Sequence, residues 1–398
     1  MKSRLLLALC FPFALSAQQT ITSIQNGAAS NPLTWDCFCF PTTDDNIVVN
    51  HAVSMDLDWA ITASGSITVN AGGSLLQSGL HGLLVDGIGS EYINLGNSAF
   101  NQIAFINGAS AQNDGHFSIT EGLYVGPGST FDNAGFLDGL DSLMTEGTFS
   151  STGTIYTGNL LNTGTMNSSG PIGADSVGNT GTYSFTAGYL YCNAFGNSGT
   201  YTMSGTGFIE TTQSWYNSGD FNVGNNNEII SHADFFNGDT IDGTANLQNN
   251  GSIEVWNDFY NSHSLTGSGN YCIANETYNI GTMNGTFDFC DNTGGSIDFN
   301  TGSIAGGITF CQPGCSVGLT EFGTVNVQVY PNPSEGVFTV NGVADNTEVV
   351  VYSLAGQRVS TTNVQNGTFD LTNLPIGTYL IIFADAFNVK PVKINIQK

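Results

Sequence analysis

Basic residues are almost missing from this chain. Its 398 residues include only 6 Lys and Arg, and none of them lies between Arg4 and Arg358. Residues 18–324 contain 19 Asp and 8 Glu, so this region is strongly acidic. Nucleic acids and anionic membranes are bound through basic contacts, and we therefore expect neither as a partner. Lyases that act on uronates are disfavoured too, because they neutralise the substrate carboxylate with Lys or Arg.

Long apolar runs are also missing. A basic start (Lys2 and Arg4), an apolar run over residues 5–15 and small residues up to Ala17 predict a signal peptide over residues 1–17. A partial lipoprotein box ends at Cys10, but the bulky residue before it favours ordinary cleavage. No later segment approaches the ~18 apolar residues of a membrane-spanning helix. We expect no transmembrane segment once the signal peptide is removed.

Glycine and small polar residues are abundant instead. Glycine supplies 51 positions, charged residues make up 10%, hydrophobic residues 40% and aromatic residues 11%. Enough apolar side chains are present for a packed core, so the chain is not of the disordered class. Short strands joined by tight turns suit this composition, because Gly and Asn tolerate positive φ.

An Asn-x-Gly triplet recurs through the middle of the chain and is followed by short alternating runs that predict strands. The Asn residues of these triplets are Asn113, Asn133, Asn162, Asn179, Asn197, Asn217, Asn249 and Asn279. The steps from Asn162 to Asn217 are 17, 18 and 20 residues. A unit of this size cannot bury its own apolar side chains, so stacked units are expected.

These features predict an all-β chain whose body, residues 61–311, is a parallel β-helix. Asn residues at equivalent turns would hydrogen-bond along the stack. Antiparallel hairpins or separate β-sandwich modules remain the alternative. Residues 18–60 are predicted to cap the first coil, since an open edge invites association. Trp35 and the Pro41–Asp45 segment resemble the opening of secreted β-helical proteins of Bacteroidota.

The composition changes near the C-terminus. Residues 312–326 read as a linker, and residues 327–398 contain longer alternating runs and four of the basic residues. Six or seven short strands in so few residues predict a small antiparallel β-sandwich, similar to an immunoglobulin domain.

Three ordered motifs of this module resemble the type A sorting domain of type IX secretion in Bacteroidota. The first contains Tyr330, Pro331, Asn332, Pro333 and Gly336. The second, residues 351–359, contains Gly356. The third contains Leu374, Pro375, Gly377 and Tyr379, and a basic tail ends at Lys398.

The resemblance implies export of the protein, first by the Sec pathway and then across the outer membrane. It implies recognition by the type IX translocon and removal of the domain by a sorting-domain peptidase. The mature protein would be extracellular or attached to the outer cell surface. An ordinary C-terminal immunoglobulin-like domain is the alternative.

Seven cysteines remain after the signal peptide, and export makes disulfides plausible. Candidates are Cys272, Cys290, Cys311 and Cys315. Cys311 and Cys315 could close a local turn. About one coil separates Cys272 from Cys290, and a similar 21 residues separate Cys290 from Cys311, so the pairing stays open. Cys37 and Cys39 lack the second pair of a zinc site, and Cys192 is expected to be buried.

No catalytic constellation stands out, and no catalytic residue is assigned. Neighbouring acids occur at Asp44/Asp45, Asp56/Asp58 and Asp138/Asp141. An inverting glycosidase needs two acids ~6.5–9.5 Å apart, but pairs are expected by chance in so acidic a chain. The five His show no His-x-His or His-Glu-x-x-His spacing.

Weaker patterns suggest ligands and modification. Asp56 and Asp58 would share one strand face, and Asp239 and Asp242 lie in a Gly-bounded turn, so both pairs are candidate calcium ligands. Solvated carboxylates are the simpler interpretation, and no other cofactor is indicated. The residues Ser142, Ser176 and Thr240 each follow Asp and precede an apolar residue, which resembles the O-glycosylation sequon of Bacteroidota.

Two functions compete. The first is a non-enzymatic surface protein with an adhesive, structural or glycan-binding role. The second is a polysaccharide hydrolase that uses paired acids. A cleft with two suitably spaced carboxylates and flanking aromatic residues would favour the hydrolase, and a flat lateral face would favour binding.

Overall fold

The computed structural model describes residues 18–238, 244–312, 315, 327–343, 345–353, 358–383 and 392–397. The predicted signal peptide and most of the predicted linker lie outside these residues. The chain divides into two compact units, Met1–Cys315 and Ser316–Lys398. Each unit is described by itself.

The first unit is a parallel β-solenoid, which confirms the predicted fold class. Each full coil contributes one strand segment to each of three lateral faces, named face 1, face 2 and face 3 in chain order. Segments on one face pair in parallel with those of the next coil; Thr182–Phe185, for example, pairs with Thr200–Met203 on face 1. Because every strand finds its partner one coil away, the coils share one continuous core.

The strands of the solenoid are Thr20–Thr22, Gly27–Ala28, Asn46–Val49, Ala52–Met55, Trp59–Ile61, Ser66–Val69, Ser74–Gln77, Gly82–Asp86, Glu91–Asn94, Asn97–Ile106, Ser110–Asn113, His116–Val125, Thr130–Asn133, Phe136–Thr145, Thr148–Ser151, Thr154–Asn162, Thr165–Ser168, Ile172–Asn179, Thr182–Asn197, Thr200–Thr211, Trp215–Asn217, Asp220–Val223, Glu228–Ser231, Phe235–Asn237, Asn246–Asn249, Ser252–Val255, Phe259–Asn261, Ser264–Gly267, Asn270–Ile273, Thr277–Asn279, Thr282–Gly285, Asp288–Asp291, Phe299–Asn300 and Ser303–Ile304. The longer strands bend around corners and serve two or three faces.

A ladder of asparagines runs along the corner between face 3 and face 1. Each side-chain Nδ2 donates to the Oδ1 of the next asparagine at 2.7–2.8 Å. Its members are Asn162, Asn179, Asn197, Asn217, Asn237, Asn261, Asn279 and Asn300. All but the last are buried, so the ladder satisfies amide groups that water does not reach.

The repeated triplets mark two corners. Asn113 and Asn133 belong to a second ladder between face 1 and face 2, which starts at Asn94 and ends at Ser151. The spacing between triplets is therefore irregular where the motif moves from one of these corners of the solenoid to the other.

Glycine completes each triplet because the coils approach closely there. A Cβ on Gly181 would lie 2.2 Å from the carbonyl oxygen of Gly164 in the preceding coil. Gly199 meets the carbonyl of Gly181 at the same distance, and Gly219 meets that of Gly199. A side chain at these corners would force the coils apart.

Alternating side chains point inward and form one apolar core. Aromatic rings stack from coil to coil inside it, as in Phe195, Trp215, Phe235 and Phe259, with centroids 3.9–5.4 Å apart. At the N-terminal end, the 3₁₀ helix Pro32–Thr34 leads into Trp35, whose buried indole donates to the carbonyl of Ala29 at 2.9 Å.

The second unit consists of two small antiparallel sheets around a separate core. One sheet contains Gln328–Tyr330, Val337–Asn341 and Thr368–Asp370. The other contains Glu348–Ser353, Arg358–Asn363, Gly377–Phe383 and Val392–Ile396.

Candidate functional site

The outward residues of the solenoid differ sharply between faces. Face 1 is polar; it presents an in-register row of Thr130, Thr148, Thr165, Thr182 and Thr200. Face 3 carries an outward row of apolar residues. The polar groups in this row are limited to tyrosine hydroxyls and one methionine sulfur. A continuous apolar row on so acidic a protein is a candidate interaction surface.

We call this row the face 3 stripe. The strand register places its members one after another in the order Ala60, Leu84, Ala104, Tyr124, Met144, Leu161, Gly178, Gly196, Tyr216, Phe236, Tyr260, Tyr278 and Phe299. These thirteen positions span twelve strand spacings, or about 58 Å. The stripe is one side chain wide.

Two hollows lie along the stripe. The first has a volume of about 740 Å³ and extends over Ala60 to Met144, with the exposed Leu80 beside it. The second has a volume of about 380 Å³, lies over Tyr216 to Phe299, and is bounded by Gly238, Ser262 and Ile280. Gly178 and Gly196 separate the two halves, because they add no side chain to the stripe.

The second half of the stripe is a ladder of aromatic rings. The centroids of Tyr216 and Phe236 are 4.9 Å apart, and those of the pairs Phe236–Tyr260 and Tyr260–Tyr278 are 4.7 Å apart, with interplanar angles of 4–7°. Because the rings cover one another's faces, they present their edges to the hollow.

A row of carboxylates accompanies these rings. Tyr260 donates its hydroxyl to Asp258 at 3.0 Å, and Tyr278 donates to Glu276. Burial, reinforced by Asp258, raises the pKa of Tyr260 to about 12. The hydrogen bond to Glu276 is the main reason that the pKa of Tyr278 also rises to about 12. Both phenols therefore stay neutral hydrogen-bonding groups at physiological pH.

Face 2 carries a polar cluster that sequence reasoning missed. Glu210 accepts from the hydroxyl of Tyr189, and its Oε1 lies 2.6 Å from Nε2 of His232. The exposed Trp256 meets the His232 ring edge-on at 4.0 Å and donates to Glu254 at 2.6 Å. A spacing of one coil between Tyr189, Glu210 and His232 is the only sequence signal for this cluster.

The acid pairs suggested by the sequence serve local structure. Asp45 is buried just before the strand Asn46–Val49 and accepts from the backbone nitrogen and the hydroxyl of Thr42, both at 2.7 Å. Asp138 lies 3.1 Å from Nε2 of His116, and Asp141 is exposed. Gly139, with a φ of +74°, lies between them inside the strand Phe136–Thr145, where the pairing register shifts.

Asp56 and Asp58 do not share a strand face as expected, because both lie in the turn between two strands. Asp56 accepts from the hydroxyl and the backbone nitrogen of Ser30; burial alone would raise its pKa, but these bonds lower it. A hydrogen bond from the Gly82 amide lowers the pKa of Asp58. Ionised carboxylates of this kind are poor general acids.

Within the described ranges, no three His, Cys, Asp or Glu side chains are grouped as a metal site. Asp239, Asp242 and Thr240 lie outside those ranges, so calcium binding and glycosylation there stay predictions. Ser142 is exposed, and Ser176 donates to Asn159 at 2.6 Å. Both stand beside the face 3 stripe, where modification also stays a prediction.

Disulfides are present, and the local closure between Cys311 and Cys315, one of the open possibilities, does not form. Cys272 pairs with Cys315 and Cys290 with Cys311. Cys272 and Cys290 are register neighbours on face 2 that point outward, so each takes its partner from the segment that leaves the last coil. Cys37 pairs with Cys39.

Cys192 is the free cysteine of the described chain. It lies in the solenoid core, where burial raises the pKa of its thiol to about 12. A thiol that stays protonated at physiological pH is a poor nucleophile.

In the second unit, the first and third motifs meet at the last strand. Asn332 accepts from the Asn395 backbone nitrogen and donates to the Lys393 carbonyl, both at 2.8 Å. The left-handed Gly336 packs so closely that a Cβ would lie 2.7 Å from Cα of Thr372. Tyr379 donates its hydroxyl to the Pro375 carbonyl at 2.9 Å.

The remaining motif residues lie in the core, at the start of a strand or at the surface. Leu374 is buried, Gly377 begins a strand, and Tyr330 and the peptide segment through Pro331 and Pro333 lie at the surface. Gly356 and Lys398 lie outside the described residues. The first and third motifs thus both contact the last strand, Val392–Ile396.

Comparison with known protein families gives a match to the second unit. Residues 328–397 match the family described as the secretion system C-terminal sorting domain. No curated protein and no solved structure matches the chain significantly. Among the described residues, no helix is long and apolar enough to cross a membrane. The C-terminal unit is therefore a type IX secretion sorting domain, and this chain is a β-solenoid protein exported to the cell surface or the extracellular space.

Proposed function

We propose that the solenoid is a non-enzymatic binding module that holds a linear glycan along the face 3 stripe. The supporting observation is the stripe itself, which continues through thirteen in-register positions while only one side chain wide. A long, shallow apolar row of this kind suits the binding of an extended ligand rather than bond cleavage. The translocon and its peptidase would act on the sorting domain and leave the solenoid outside the cell.

The dimensions of the stripe favour a single extended chain as ligand. A second sheet packs through several adjacent apolar rows, whereas the row beside this stripe contains Gln102, Ser142, Asn159 and Ser176. A linear glycan has apolar C–H surfaces and peripheral hydroxyls, which match an apolar row between polar rows. An extended peptide would leave its backbone hydrogen-bonding groups unpaired on this face.

Glycan-array screening of the secreted protein tests the proposal, with Tyr216→Ala and Tyr260→Ala as variants. Each should weaken binding about tenfold, because it removes part of the apolar contact. Tyr156→Ala is the matched control, since Tyr156 is 44% exposed on face 2 and Tyr216 is 55% exposed on the stripe. Absence of glycan binding, or equal losses in all three variants, would contradict the proposal.

A polysaccharide hydrolase is the second candidate, and the face 2 cluster is the observation that favours it. Glu210 and Glu254 lie two strand spacings apart, about 9.6 Å between Cα atoms. An inverting enzyme holds its carboxyl groups ~6.5–9.5 Å apart. Product analysis decides between the functions: sugar release that Glu210→Gln abolishes would establish the hydrolase.

A further inference from the structure

The two halves of the face 3 stripe differ in the charge beside them. In the first half, the residue two positions before each outward stripe residue is uncharged from the second coil onward, for example Gly82, Gln102 and Gly122. In the second half, the residues two positions before Phe236, Tyr260 and Tyr278 are Asp234, Asp258 and Glu276, and Asp298 directly precedes Phe299. Tyr216 has the uncharged Ser214 at this position. The aromatic half therefore has carboxylates along one side in three consecutive coils, whereas the first half has Asp58 two positions before Ala60 and Glu146 hydrogen-bonded to Tyr124.

These carboxylates are held in place from coil to coil. Asp234 accepts from the side-chain amide of Asn257 at 2.5 Å, and Asp258 accepts from that of Asn275 at 2.6 Å. The backbone nitrogen of Glu276 donates to Asp258 at 3.1 Å. Amide donors fix the position and direction of a carboxylate but leave its charge uncompensated.

Within the described residues, no ion pair joins the acidic row to a basic side chain; the ion pairs there involve Asp58, Asp138 and Glu210 with histidines. Like charges at strand spacing repel one another. A ligand with positive charges at a similar repeat would relieve this repulsion, and one with carboxylates would add to it. The negative charge of this row therefore favours a positively charged ligand for the aromatic half of the stripe.

We infer that the aromatic half of the stripe, from Tyr216 to Phe299, selects linear glycans that carry free amino groups and rejects those that carry carboxylates. This inference rests on the proposed glycan-binding function and adds the ligand class. The aromatic edges contact the C–H surface of the sugar chain, while the ammonium groups lie against Asp258 and Glu276. A strand spacing of about 4.8 Å is close to the length of one sugar unit, so successive units meet equivalent side chains.

Calorimetry with the full secreted chain tests this selection. The probes are a glucosamine oligomer, its N-acetylated form, a galacturonate oligomer and an oligolysine, all of matched length. At low salt the glucosamine oligomer should bind about tenfold more tightly than its N-acetylated form, because charge-assisted contacts are added. High salt should reduce this ratio, and the galacturonate oligomer should bind most weakly.

Glu276→Gln alone and Asp258→Asn with Glu276→Gln should each lower the preference for the amino form without preventing binding of the N-acetylated form. Asp114→Asn with Asp132→Asn removes the same charge away from the stripe and should leave the preference unchanged. Retention of N-acetylated binding shows that the variants are folded.

The outcomes separate the two hypotheses. Binding of the neutral oligomer with no preference for the amino form overturns the charge selection and leaves the proposed function standing. Absence of binding to all three glycans overturns both. Equal binding of oligolysine and the glucosamine oligomer, unaffected by Tyr260→Ala, would show that a basic peptide is the ligand.

Discussion

At the scale of single residues, the repeated Asn of the sequence contributes to stability through the asparagine ladder. Asn197 lies in its middle, accepts from Asn179 at 2.7 Å and donates to Asn217 at 2.8 Å. All three side chains are buried, so water does not replace a lost partner. Their amides contribute mainly by avoiding the cost of unpaired polar groups.

Asn197→Ala should lower the free energy of unfolding by about 2–4 kcal/mol, because two buried amide groups lose a partner. Asn300→Ala is the control, since Asn300 is exposed at the end of the ladder, where water replaces the lost bond. Its cost should stay below about 1 kcal/mol. Urea denaturation measures both, and equal costs would show that the ladder is not the source of stability.

The tyrosines of the stripe give a pH dependence. The folded pKa values of Tyr260 and Tyr278 are about 12, above the unfolded value near 10. The stability that these groups contribute is therefore complete below pH 10 and is lost as the pH rises through about 12. Tyr260→Phe and Tyr278→Phe should each reduce the amplitude of the phenolate absorbance step near pH 12, and the double variant should reduce it further. An unchanged amplitude in the double variant would contradict the assigned hydrogen bonds.

At the scale of strands and corners, the close approach of coils decides which residues are tolerated. Gly181 and Gly196 lie in consecutive coils, yet their surroundings differ. A Cβ on Gly181 would meet the Gly164 carbonyl oxygen at 2.2 Å, whereas a Cβ on Gly196 would have no atom within 4 Å. The corner therefore needs glycine, and the stripe position does not.

Gly181→Ala should destabilise the solenoid by about 3 kcal/mol, since overpacking separates two coils. Gly196→Ala is the matched control and should change stability by less than about 1 kcal/mol. Hydrogen exchange should show opening of the coils around Gly181 alone. A neutral Gly181→Ala would mean that the corner relaxes without cost.

At the scale of the whole molecule, the sorting domain determines where the solenoid acts. Deletion of residues 327–398 should retain the protein in the periplasm of a host with the type IX machinery, because the translocon loses its recognition domain. Asn332→Ala should reduce export, since Asn332 links the first motif to the last strand. Fractionation measures both, with Asn363→Ala as the control; export of the deletion variant would refute the assignment.

Much of this architecture could be predicted from local chemistry. Asn-x-Gly triplets and alternating runs indicated a stacked β-solenoid, and three motifs indicated the sorting domain. The same triplet served two different corners, however, so the repeat alone did not show which Asn residues stack together. Asp56 and Asp58 were misplaced because their alternation continued beyond the end of the strand at Met55.

The sequence by itself determined the fold class and the export route, because both depend on patterns within one coil or one motif. Only the tertiary structure decided the face 3 stripe and the disulfide partners. Residues such as Met144, Tyr216 and Phe299 are far apart in the chain and occupy unremarkable strand positions. They form one surface because coil length varies, and the register that aligns them is set by packing between coils rather than by sequence spacing.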